Sequence, residues 1–221
     1  MQQIIAIIIG LGLLILLWRQ WRSAEQKLAA TPQKLFAEVQ SLFNDAKLEE
    51  GEAFGTWMLT GTYAGHLFQL KAVVDTLATR KLPSLWLLVT LPEQQPVKAT
   101  LDLMMRPSGP SSFSNFDFLP YTLETPKDFP EHAVIRTDDQ ELNPPPDILR
   151  FALTLFETRY GKELLISPKG LRIVVHVAEV DRLRYGVFRE ANFGGTVIQP
   201  DLLIQCLDTL LKLNSALEKN V

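Results

Sequence analysis

Residues 4–18 form an unbroken apolar run, IIAIIIGLGLLILLW, closed at once by Arg19, Gln20, Trp21 and Arg22. No charge, Pro or Asn interrupts it, and its Ile and Leu side chains gain by leaving water. A bilayer span takes about 20 residues, with roughly 17 at the lower end. Gln2 and Gln3 in front, with Trp18 and Trp21 behind, extend the helix into both interfaces, where Trp is favoured and Arg19 can snorkel to the headgroups. The run predicts a transmembrane anchor over residues 1–22, with residues 4–21 in contact with the bilayer.

Two other readings compete with the anchor. A cleaved secretory signal wants Lys or Arg before the apolar core and small residues at a cleavage site after it, whereas Met-Gln-Gln precedes this core and Arg-Gln-Trp-Arg-Ser follows. A buried core helix would need burial on every side, because the cylinder is apolar all round. Orientation follows from the flanks: Arg19, Arg22, Lys27 and Lys34 all lie after the run. The positive charge bias therefore places the large domain in the cytoplasm.

The 221 residues leave ample chain beyond the anchor for a real core. A net charge of -3 lacks the basic excess that phosphate backbones select, so nucleic acid is not an expected partner. The single cysteine, Cys206, excludes an internal disulfide and a cysteine-built zinc site within one chain.

Residues 23–50 read as an amphipathic juxtamembrane helix. Thr31-Pro32 is a start signal, and Leu35, Val39, Leu42, Phe43 and Ala46 recur at helical spacing. After Gly51 and Gly55 the period becomes two. Residues 57–63 and 66–74 alternate around an Ala64-Gly65 turn, and residues 84–91 are apolar at almost every position, as a strand covered on both faces should be. In residues 98–105, Ala99, Leu101, Leu103 and Met105 point inward and Lys98, Thr100 and Asp102 outward. The short connection over 92–96 predicts that these last two strands form a hairpin in an antiparallel meander.

Residues 107–146 hold eight of the chain's fourteen prolines together with Phe113, Phe116, Phe118, Tyr121 and Phe129. Aromatics are rare in flexible linkers, so an ordered arm with a short strand near 133–136 is expected, against the alternative of a partner-docking segment of extended character. A helix from Asp147 to near Gly161 follows, with Ile148, Phe151, Ala152, Leu155 and Phe156 on one side. Residues 163–166 and 171–177 then form a tight hairpin through Ser167-Pro168-Lys169-Gly170, with a bulge expected at Gly170. A further strand is expected over 182–187, and a closing helix opens at Pro200 with Leu203, Leu207, Leu210, Leu211 and Leu217 on its buried side. The expected architecture is α+β: the anchor, then a mostly antiparallel sheet domain over 51–221 with flanking helices.

Chemistry is hard to find. There is no G-x-S-x-G elbow, and the soluble part contains neither a P-loop nor a G-x-G-x-x-G motif. Cys206 lies on the apolar side of the last helix, where a thiol is more often a small core residue than a nucleophile. His66, His132 and His176 lack metal-ligand spacing, and the acidic turn 138–141 lacks the Gly of a calcium loop, so no metal and no cofactor is expected. What remains is His176, mid-strand beside Arg172 and Val174, and the ionic stretch VAEVDRLRYGVFRE. Arg182 and Arg184, on one strand face, could grip a carboxylate, a phosphate or an anionic headgroup, although nearby acids can also satisfy them.

Three functions compete. An anchored domain acting non-enzymatically through a protein partner, in an assembly or accessory role, fits a tether joined to a full domain without a recognisable catalytic set. A membrane-tethered enzyme would need His176, Asp181 and Arg184 to converge in one cleft. A sensor of an anionic ligand or lipid would use Arg182 and Arg184.

Overall fold

Ala64 and Gly65 both take positive φ, 50° and 86°, the geometry of a two-residue hairpin turn whose twist matches that of its strands. They close β2 (Trp57–Tyr63) onto β3 (His66–Asp75), and β4 (Ser84–Leu91) adds beyond β3. The computed structural model describes residues 34–50, 57–75, 82–107, 109–158, 160–180, 182, 185, 193 and 195–219. The anchor expected over residues 1–22 lies outside the described residues. Among them no helix is long and apolar enough to cross a membrane.

The remaining strands are β1 (Asn44–Glu50), β5 (Leu101–Met105), β6 (Tyr121–Leu123), β7 (Ala133–Thr137), β8 (Gly161–Ser167) and β9 (Gly170–Glu179). All nine join one antiparallel sheet in the order β1-β2-β3-β4-β9-β8-β5-β7-β6. Among the described residues the complete helices are α1 (Leu153–Glu157), α2 (Pro200–Lys219) and short 3-10 turns. This is an α+β domain dominated by its sheet.

The expected hairpin of β4 with β5 is not formed. The β8–β9 hairpin inserts between them, so the chain after β4 crosses three strand spacings, about 14 Å, to reach β5. Residues 92–100 have the length for this, and two contacts hold the crossing. The Gln95 backbone N–H donates to Pro168 O (3.1 Å) at the β8–β9 turn, and the Gln95 side chain donates to Asn214 Oδ1 (2.7 Å) on α2. The turn itself pairs Ser167 with Gly170, and the register irregularity falls between Gly161 and Glu163 rather than at Gly170. At Gly170, φ is 148° and a Cβ would meet Leu91 O at 2.4 Å. Gly170→Ala should therefore cost about 2 kcal/mol through strain and overpacking, read as a lowered urea midpoint with an unchanged slope.

Two further expectations change. The helix read over 23–50 has stopped by Phe36: Lys34–Phe36 is helical, but Asn44–Glu50 is the edge strand β1, bulged between Asn44 and Lys47 with Asp45 at φ 54°. Leu35, Val39 and Phe43 still reach the core, since a short turn can deliver the same side chains. The helix expected from Asp147 is a 3-10 turn over Pro146–Ala152 running into the short α1, which leaves Phe151 47% exposed. By contrast α2 follows its pattern, burying Leu203, Cys206, Leu207, Leu210, Leu213 and Leu217 at the three-to-four-residue spacing of one helix face. Leu211 is only partly buried.

The two sheet faces are covered differently. One carries the main core, where Leu59, Phe68, Leu70, Leu87, Leu101, Ile135 and Ile173 meet α2, α1 and the segment around Phe36. On the other, Val73, Leu88, Met104 and Val174 meet Phe113 and Phe116 from the Pro-rich arm.

Candidate functional site

The arm-covered face is where the chemistry concentrates. Side chains in register on neighbouring strands share a face, which places Trp86 of β4, Arg172 and His176 of β9, Glu163 of β8, Asp102 of β5 and Arg136 of β7 together on this side. Among the described residues, seven buried side-chain nitrogen or oxygen atoms lack a hydrogen-bond partner. Six belong to these residues: Trp86 Nε1, His176 Nε2, Arg172 Nε, Glu163 Oε2, Asp102 Oδ1 and Arg136 Nε. Such atoms are scarce in folded proteins, so their gathering on one face marks a special environment.

At the centre is a carboxyl pair. Glu163 is fully buried and Asp102 is 1% exposed. Burial first, then the charge and hydrogen bonding of Glu163, raise the Asp102 pKa well above the ordinary carboxylate range, while Arg172 opposes the shift. Two carboxylates this close and this dry cannot both ionise without large cost. The raised Asp102 holds its proton, and Glu163 beside it accepts the Ser114 hydroxyl hydrogen bond and lies 3.6 Å from Arg172 Nη2. Because the folded-state pKa of Asp102 exceeds its unfolded value, the stability tied to this proton is full at low pH. It is lost as pH rises from the ordinary carboxyl range through the raised value.

His176 behaves in the opposite sense. Its ring meets Trp86 edge-on (centroids 5.1 Å apart, 72°), and Trp86 in turn lies against Phe113 at 5.0 Å. Burial lowers the His176 pKa, with Glu179 opposing. A depressed histidine takes up its proton more readily when unfolded, so acid costs stability here.

The arm is fastened over this face at several points. Ser112 donates from its N–H (3.4 Å) and its hydroxyl (3.2 Å) to Asp75 Oδ1, and Ser114 donates to Glu163. Arg136 donates to the carbonyls of Phe116 (3.4 Å) and Asp117 (3.3 Å), and its guanidinium stands 5.1 Å from the Phe116 ring centre.

Of the candidate site residues singled out from sequence, only His176 and Arg182 fall among the described residues. His176 is half-buried and meets Trp86 edge-on. Asp181 and Arg184 lie outside the described residues, and Arg182 and Tyr185 are helical rather than extended. Asp102, expected to face water, is buried instead, because the arm covers the face that alternation assigned to solvent. Sequence reasoning missed Asp102 and Glu163 as a pair. The available signal was Asp102 inside a strand otherwise apolar on both sides, together with an aromatic arm able to bury it; Glu163, directly after Lys162, carries no such sign.

Cys206 is fully buried and its pKa is pushed up to about 12 by burial, so it is an inert core thiol. Among the described residues no cluster of three or more His, Cys, Asp or Glu side chains is placed to hold a metal. Two surface hollows among the described residues, one at Arg106, Glu131, His132 and Val134 and one at Phe151, Leu211, Lys212 and Lys219, do not include the carboxyl pair. In comparisons with known proteins, no family model, no curated protein and no solved structure matches this chain.

Proposed function

We propose that this is a single-pass membrane-anchored protein whose α+β domain, on the cytoplasmic side, acts non-enzymatically by docking another protein in an assembly or accessory role. The anchor and its orientation rest on residues 4–18 and the positive charges behind them. The docking reading rests on one observation: Phe118 is 80% exposed and Tyr121 44% exposed, on a segment that its neighbours hold rigid. Phe116 beside them is buried, Phe118 N–H donates to Asn115 O (2.9 Å), and Arg136 grips the carbonyls of Phe116 and Asp117.

Burying one such ring in a partner contributes about 2–3 kcal/mol, and a pre-ordered segment loses little entropy in doing so. The sheet edges favour docking through the rings over strand addition. β6 is three residues long behind Pro120, and β1 is bulged and carries exposed Asp45, Lys47 and Glu49, all devices that blunt an edge.

The full chain purified in mild detergent should carry a partner that is lost on Phe118→Asp/Tyr121→Ala, while the melting temperature stays within about 2 °C because neither ring supports the core. Recovery of the lone chain under several mild conditions, or equal capture by the variant, overturns the reading. A tethered enzyme is the second reading. Its best candidate is the Asp102–Glu163 pair, which can hold and pass a proton but lies closed beneath Ser114.

A further inference from the structure

The docking surface and the buried carboxyl pair belong to one mechanical unit. Residues 112–118 place Ser112 on Asp75, Phe113 on Trp86, Ser114 on Glu163, Phe116 under Arg136 and Phe118 in solvent, within seven consecutive positions. We propose that the arm is a proton-operated latch. The proton on Asp102 keeps Ser114 seated on Glu163 and so on the sheet, and its loss releases the segment that presents Phe118 and Tyr121 to a partner. This rests on the docking reading for its purpose, but not for its test.

The physical reason is charge balance. With one proton on the pair, Glu163 faces Arg172 as a single buried ion pair and accepts from Ser114. Without it, two carboxylates face one guanidinium in a dry site, since the nearby Arg136 is committed to the carbonyls of Phe116 and Asp117. Opening the arm admits water and lowers the cost of the second charge.

Other charged groups stand around this space, and Asp117 of the arm pairs with Arg136 Nη1 at 3.9 Å. His176 and Glu179 lie further along β9, Asp75 on β3 holds Ser112, and Lys162 of β8 donates to the carbonyls of Met105 (2.6 Å) and Arg106 (2.9 Å) at the end of β5. His176 opposes the latch, because its protonation below the ordinary histidine range favours the open arm. A useful experiment must therefore isolate Asp102.

Hydrogen exchange of peptides covering residues 109–119 does so, measured on the full chain without partner, in wild type and Asp102→Asn, from about pH 5 to about pH 9. The ratio of wild-type to variant protection cancels both intrinsic exchange and His176. We expect this ratio to fall with rising pH, by up to roughly tenfold per unit within the titration window, and then to level off. A ratio that stays flat across the range overturns the latch. Should Asp102→Asn not fold, Ser114→Ala serves instead: it should bring the arm at low pH to the protection that wild type shows at high pH, and an arm equally protected in both proteins at every pH also overturns the proposal. Because no partner is present, a flat ratio leaves the docking reading standing, and a failed capture experiment leaves the latch standing.

Discussion

Replacing Arg172 by Ala should destabilise the domain by about 3 kcal/mol at neutral pH, lowering its melting temperature by roughly 6–12 °C. Breaking a buried ion pair by removing one partner strands the other charge, and Glu163 has no exposure with which to recover solvation. The estimate sits at the low end of the range for buried pairs, because the Arg172 side chain retains 22% exposure. The companion variant decides the cause. Arg172→Ala/Glu163→Gln removes the stranded charge and should recover more than half of the loss, whereas a packing defect would persist in both. If Arg172→Ala costs less than about 1 kcal/mol in thermal or urea unfolding, Glu163 is not charged in the native state, and the assignment of the single proton to Asp102 fails.

A comparable effect is expected at Phe116, and its contrast with Phe118 is the informative part. Phe116 is 2% exposed, packs with Phe113, Val73, Leu88, Met104 and Val174, and sits against the Arg136 guanidinium. Phe116→Ala deletes a ring from the smaller of the two cores, with an expected cost of about 3–5 kcal/mol. Phe118→Ala, two positions on and 80% exposed, should change stability by less than about 0.5 kcal/mol. Equal costs at the two positions, read by urea unfolding, would mean that the arm does not lie on the sheet as described.

The pattern of strands was largely legible in the chain. The alternation of residues 57–63 and 66–74, the apolar run of 84–91 and the Ser167–Gly170 turn each state a local preference that the fold keeps. Pairing was less legible, because a nine-residue connection is compatible either with a hairpin or with a crossing. What selects the crossing is Gln95 meeting Pro168 and Asn214, contacts far apart in sequence.

The same limit hid the site. Alternation assigns Asp102 to the face opposite Leu101 and Leu103, correctly, but whether that face meets water depends on where the arm falls. Glu163 carries no local sign of burial until Ser114 and Arg172 are beside it. At residues 44–50 helical periodicity was overridden by tertiary structure, since pairing with β2 outweighs a weak helical preference.

The central claim is that a tethered domain meets a partner through Phe118 and Tyr121. Its most direct measurement places a photoreactive amino acid at position 118 of the full-length chain in native membranes, with Leu67, 49% exposed at the start of β3, as the control position. The account predicts a discrete crosslinked adduct from position 118, reproduced from 121 and absent from 67, in a membrane fraction that resists alkaline carbonate. The same faint background from all three positions, or a chain that washes off the membrane, would contradict it.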